Sequence, residues 1–154
     1  MRVTRMLVGL SLLCCAVALA GCASENRVAE NEPTPTATAS AADSLGQACE
    51  LASAVLSDAN NADSGYRRGE LDAAGWAQLV ADAKAKMITL AAGASPGAEA
   101  QIADLASDVA SIPDAAGAPD AYVAVGATAD AAAELNKVCG ANGTEIVVSA
   151  KYGG

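Results

Sequence analysis

From Leu45 onwards, apolar residues recur at intervals of three and four, the period of a helix with one buried face. Four segments carry this period. In the first, Leu45, Ala48, Cys49, Ala52, Val55, Leu56 and Ala59 form a single stripe. Ser44 followed three residues later by Gln47 has the form of a capping box, so the helix is expected to start there. The polar run Asn60-Asn61-Ala62-Asp63-Ser64-Gly65 is expected to break it. The second stripe holds Trp76, Leu79, Val80, Ala83, Met87, Leu90 and Ala91, with Asp72 as N-cap and Gly93 as the stop. Asp82 and Lys86, four apart on its other side, are placed to pair weakly.

The third segment steps through Ala98, Ile102, Leu105, Val109 and Ile112. Ser95 is expected as its N-cap, with Pro96 at the first helical position and Pro113 as the breaker. The fourth follows Pro119 and Asp120 and steps through Ala121, Val125, Thr128, Ala132, Leu135 and Cys139. Lys137 suits the negative end of its dipole, and Gly140 is expected to end it. Alternating steps of three and four suit bundle seams. The predicted fold is therefore all-α: an antiparallel up-down-up-down four-helix bundle over residues 43–140. Many seam positions are only alanine, which lets helices approach closely but buries little apolar area.

The flanks follow other rules. The tail, 141–154, opens with the turn signal Asn142-Gly143 and continues with the β-branched run Ile146-Val147-Val148. No other strand is predicted, so the tail is expected to lie along the bundle, with an edge offered to a partner as the alternative. Residues 23–42 show no apolar period and include Pro33-Thr34-Pro35-Thr36, the composition of a disordered tether. About 20 such residues span on the order of 25 Å as a coil. The Thr- and Pro-rich composition also suits O-linked sugars, with a plain spacer as the favoured reading.

At the start, Arg2 and Arg5 precede an uncharged, mostly apolar run from Met6 to Ala20. A basic start, a short apolar stretch and small residues before a cut describe an export signal. The stretch is shorter than the roughly 20 residues a membrane-spanning helix needs. The arginines are not adjacent, so the general secretory route is expected rather than the twin-arginine one. Leu19-Ala20-Gly21-Cys22 resembles the lipobox of bacterial lipoproteins. That resemblance implies cleavage between Gly21 and Cys22, a signal peptide of residues 1–21, and a lipid on Cys22. It also implies a lipid-anchored linker over 22–42 and an extracytoplasmic domain held to the cell membrane. Alanine-rich, lysine-poor composition points to a high-GC bacterium such as an actinobacterium.

Composition narrows the chemistry. Cleavage would remove Arg2 and Arg5, leaving seven basic against eighteen acidic residues. Such a surface repels nucleic acid and anionic headgroups, so no nucleic-acid partner is expected, and the lipid must supply the anchorage. The chain has no histidine, which removes the commonest general base and transition-metal ligand and excludes Ser-His-Asp and Cys-His mechanisms. No phosphate loop, paired-cysteine metal box or nucleophile elbow is present.

Of five cysteines, Cys14 and Cys15 lie in the removed peptide and Cys22 is implied to carry lipid. Cys49 and Cys139 remain, an even pair in an oxidising compartment, and a disulfide is expected. In the predicted bundle the start of the first helix lies beside the end of the fourth, which brings these two together.

The remaining candidates are small. Tyr66-Arg67-Arg68 is a basic island suited to an anion or a partner contact, against the simpler expectation that it pairs with Glu70 or Asp72. Asp104 and Asp108 stand one turn apart and are expected to be a solvated face, not a metal site. Trp76 is expected as a core anchor, and Tyr122 as a residue able to line a gap between helices. No cofactor is implied; haem carriage would need an axial ligand from Tyr66, Tyr122, Tyr152 or Met87. These readings point to a non-catalytic binding or interaction module, its partner an envelope protein, polymer or small ligand. The alternatives are a small-ligand carrier in the bundle core, or a phage- or prophage-encoded exclusion lipoprotein using the same anchor. An extracytoplasmic enzyme is disfavoured.

Overall fold

A computed structural model of the chain describes residues 40–153. Gly21, Cys22, the expected signal segment and most of the expected tether lie outside the described residues. Within them the chain is all-helical: α1 spans Ala41–Arg67, α2 Ala73–Ala92, α3 Glu99–Ser111 and α4 Ala121–Ala141. No described helix is long and apolar enough to cross a membrane.

The helix starts correct two expectations. α1 is capped by Ser40, not Ser44, so it begins two residues ahead of position 43. The Asp43 N–H donates to Ser40 Oγ at 3.2 Å, and the Ser40 N–H donates to Asp43 Oδ2 at 3.1 Å. Asp43 both closes the box and places a negative charge at the positive end of the helix. α3 begins at Glu99, not after Ser95. The Ala98 N–H donates to the Ser95 carbonyl at 3.0 Å, and Gly97 sits at φ +86°. Proline second and glycine third in a four-residue turn is the type II pattern, and its positive φ cannot continue into a helix. Ser95 is buried, and its Oγ has no hydrogen-bond partner among the described residues. Asp72 does cap α2, accepting from Gly75 N at 2.8 Å, while Asp120 precedes α4 without a side-chain cap bond.

The expected break at 60–65 does not occur, and α1 runs on to Arg67. Two influences override the low helix propensity of this run. Ala59 and Ala62 are buried in a cluster with Trp76, Val80 and Ile112. Ser64 Oγ donates back to the Asn60 carbonyl at 2.7 Å, while the Asn61 side chain is engaged far along the chain. α4 likewise passes Gly140 and ends at Ala141, with Gly143 at φ +83° after it.

α1 packs on α2 and α4, and α3 packs on the same two helices. The buried stripes match the periodicity: Cys49, Ala52 and Val55 of α1, Val80 and Ala83 of α2, Leu105 and Val109 of α3, and Leu135 and Cys139 of α4 are all at most 1% exposed. Ala91, expected on the stripe of α2, is exposed near its end. Trp76 is 1% exposed, donates from Nε1 to the Pro113 carbonyl at 3.0 Å, and meets Tyr66 edge-on at 5.9 Å. Lys86 pairs with Asp58 of α1, not with Asp82, whose carboxylate accepts from Gln78.

Cys49 and Cys139 form a disulfide with Cα atoms 5.8 Å apart, joining α1 to α4. For a closed loop of this length, chain entropy gives about 4–5 kcal/mol of stabilisation.

Candidate ligand pocket

The tail builds the site. After α4 the chain turns at Gly143 and runs extended over α1. Val147 N–H donates to Ser53 Oγ at 3.1 Å, Ser149 N–H to Ser57 Oγ at 2.9 Å, and Lys151 N–H to Asn61 Oδ1 at 2.7 Å. Asn61 Nδ2 returns a bond to the Ser149 carbonyl at 2.9 Å. Two periods match here. Four residues of helix rise about 6.0 Å, and two residues of extended chain rise about 6.6 Å. Every second N–H of the tail therefore meets every fourth side chain of α1. The two hydroxyls serve twice, since Ser53 also donates to the Cys49 carbonyl and Ser57 to the Ser53 carbonyl.

The next position in this stripe is Gly65. A β-carbon there would lie 2.7 Å from Leu71 Cδ1 and 2.9 Å from Tyr152 Cδ2, so its missing side chain is what admits the end of the tail. At the other end, Ile146 N–H donates to Asn136 Oδ1 of α4 at 2.7 Å. The tail is thus pinned to both helices.

Between α1, α4 and this strap lies an open pocket of about 240 Å³. Leu56, Val125, Ile146 and Val148 give it apolar walls, and Asn60 and Asn136 are its amides. The space exists because α4 presents alanines there, at 129, 132 and 133. None of the lining residues is charged.

The sequence candidates are placed elsewhere. Arg67 approaches Asp63 at 3.4 Å, and its guanidinium carbon lies 4.8 Å from the centre of the Tyr122 ring. Arg68 donates to the Gly153 carbonyl at 2.8 Å. Neither pairs with Glu70 or Asp72, and neither lines the pocket. Tyr122 is 62% exposed beneath Arg67 and lines no gap in the bundle. No group of three or more acidic or cysteine side chains suited to a metal occurs among the described residues. Sequence reasoning missed Ser53, Ser57, Asn61 and Asn136. The legible signal was the four-residue spacing of Ser53, Ser57, Asn61 and Gly65 beside the apolar stripe.

No family model matches the chain, and neither a curated protein nor a solved structure matches it at a significant level.

Proposed function

We propose that the chain is a lipid-anchored extracytoplasmic lipoprotein whose helical domain is a non-catalytic binding module at the cell envelope. Cys22 carries the lipid, and the tether holds the domain off the membrane. The observation that carries this reading is the disulfide between Cys49 and Cys139. Such bonds persist in oxidising compartments, which agrees with export by the N-terminal signal. The strongly acidic composition turns the module away from nucleic acid and towards proteins, neutral polymers or small ligands.

The helices run up-down-up-down. Three findings support this order: each helix packs on its neighbours in sequence, α1 packs on α4, and the disulfide joins the first part of α1 to the last part of α4. The pocket favours a second reading within the same class, a carrier of a small apolar ligand, with the ligand seated on the α1–α4 seam.

The test has two parts. Fatty-acid labelling should vanish in Cys22→Ala and persist in the parent, with the parent in the membrane fraction. A pull-down from solubilised envelope should then recover a specific protein, polymer or small molecule. Unchanged labelling of Cys22→Ala overturns the anchor. Recovery of nothing beyond the protein itself, from intact anchored material, overturns the binding role.

A further inference from the structure

We propose that the α1–α4 pocket takes a neutral apolar small molecule and that residues 147–149 of the strap gate it. This rests on the binding-module reading above and gives it a ligand class and an entry route.

The ligand class follows from the lining. Apolar walls from Leu56, Val125, Ile146 and Val148 offer hydrophobic contact, and two amides offer neutral hydrogen bonding. A carboxylate or phosphate would find no cation in the lining and would face an acidic chain. An ammonium would find no acid in the lining to offset its desolvation. The volume corresponds to about eight water molecules. It suits a ring or a short alkyl segment, not a folded partner.

The gate follows from how the strap is held. Its odd-numbered N–H groups bond α1, and its even-numbered side chains Ile146 and Val148 line the pocket. Val147 is 63% exposed and Val148 46% exposed, so lifting residues 147–149 costs little apolar burial, whereas Ile146 packs against the core. The bonds at Val147 and Ser149 N–H face solvent, and such bonds with few apolar contacts mark the segments that open first, while the part-buried bonds at Ile146 and Lys151 hold the two ends. The near end of the strap is fixed as well: Gly143 has the left-handed backbone of a turn, Cys139 before it is bonded to α1, and Ile146 N–H is bonded to Asn136. Opening lifts Val148 off the pocket, while Ile146, bonded to Asn136 and packed on the core, stays with the helices.

An uncharged alkyl diazirine photoprobe, applied to the mature protein in its own membranes, tests this. Crosslinked peptides are then mapped by mass spectrometry. Labelling is expected in the peptides covering 125–136 and 146–148. Filling the pocket with Ala129→Leu and Ala133→Leu, both exposed alanines, should lower it at least five-fold. Loosening the strap with Ser53→Ala and Ser57→Ala should raise the labelling rate several-fold, and a carboxylate form of the probe should label weakly. A second open groove of about 280 Å³ lies between α2 and α3, lined by Met87, Ile88, Val109 and Ala110; labelling centred there, or unmoved by the filling changes, overturns the site. A rate unmoved by the serine changes overturns the gate. Fractionation of the same cells reads the parent proposal separately: an anchored protein with an unlabelled pocket sinks only the ligand site, whereas an unanchored protein sinks the parent.

Discussion

Asn61 and Lys151 stand 90 residues apart in sequence, and the backbone N–H of Lys151 donates to Asn61 Oδ1 at 2.7 Å. Through Nδ2 the same amide reaches the Ser149 carbonyl at 2.9 Å, so one side chain holds two points of the strap. Asn61 is 8% exposed, which makes its bonds worth more than those on an open surface. Asn61→Ala is expected to cost about 1–3 kcal/mol and to act locally. Amide hydrogen exchange at Val147, Ser149 and Lys151 should accelerate well beyond that at the buried centre of α1. Uniform acceleration across the domain would show that the strap is part of the core.

Gly65 and Gly126 both lie inside helices, and their alanine variants should diverge. At Gly126 a β-carbon would meet nothing within 4 Å. Gly126→Ala should therefore stabilise by about 0.5–1 kcal/mol through helix propensity. At Gly65 the same gain is opposed by overlap with Leu71 and Tyr152, and overpacking typically costs about 1–3 kcal/mol. Gly65→Ala should lower stability in chemical denaturation and displace Tyr152. Equal gains at both sites would mean that Leu71 and the strap both yield freely.

Trp76 anchors the second cluster. Trp76→Ala should cost about 3–5 kcal/mol, enough to unfold much of a marginal domain. Trp76→Phe keeps most of the volume but loses the bond to the Pro113 carbonyl, a loss of about 1–2 kcal/mol. Denaturant midpoints of the two variants check the order.

Reduction of Cys49–Cys139 should lower the melting temperature, with an upper bound near 5 kcal/mol from loop closure. The double Cys→Ser variant should melt with the reduced protein. A reduced protein as stable as the oxidised one would mean that helix packing alone fixes α1 against α4.

Much of this fold was legible in the order of residues. The stripes of all four helices follow from three-four spacing because burial depends mainly on side-chain face, with Ala91 exposed where α2 ends. The Cys49–Cys139 pairing follows from a count of the cysteines left once Cys14 and Cys15 are assigned to a signal segment and Cys22 to a lipid, together with the predicted helix order. The misplaced helix ends have local causes: Ser44 and Ser95 both look like caps, but Asp43 serves Ser40, and Gly97 turns the chain after Pro96. The run at 60–65 reads as a breaker because its residue types favour turns; Ser64 and Asp63 are in fact used within α1, and the partners of Asn61 lie in the tail. The pocket was illegible for the same reason. It is made where α4 presents alanines and a strap from the far end of the chain crosses the seam, and no local pattern encodes that crossing.

The central claim is that Cys22 holds the protein to the membrane while Cys49 and Cys139 close its exported domain. Intact-mass measurement of the unreduced protein extracted from membranes tests both at once. The expected species begins at Cys22, carries a diacylglyceryl mass on that residue, and is two hydrogens lighter than the fully reduced chain. An unmodified Cys22, an uncut N-terminus or two free thiols at positions 49 and 139 would contradict it.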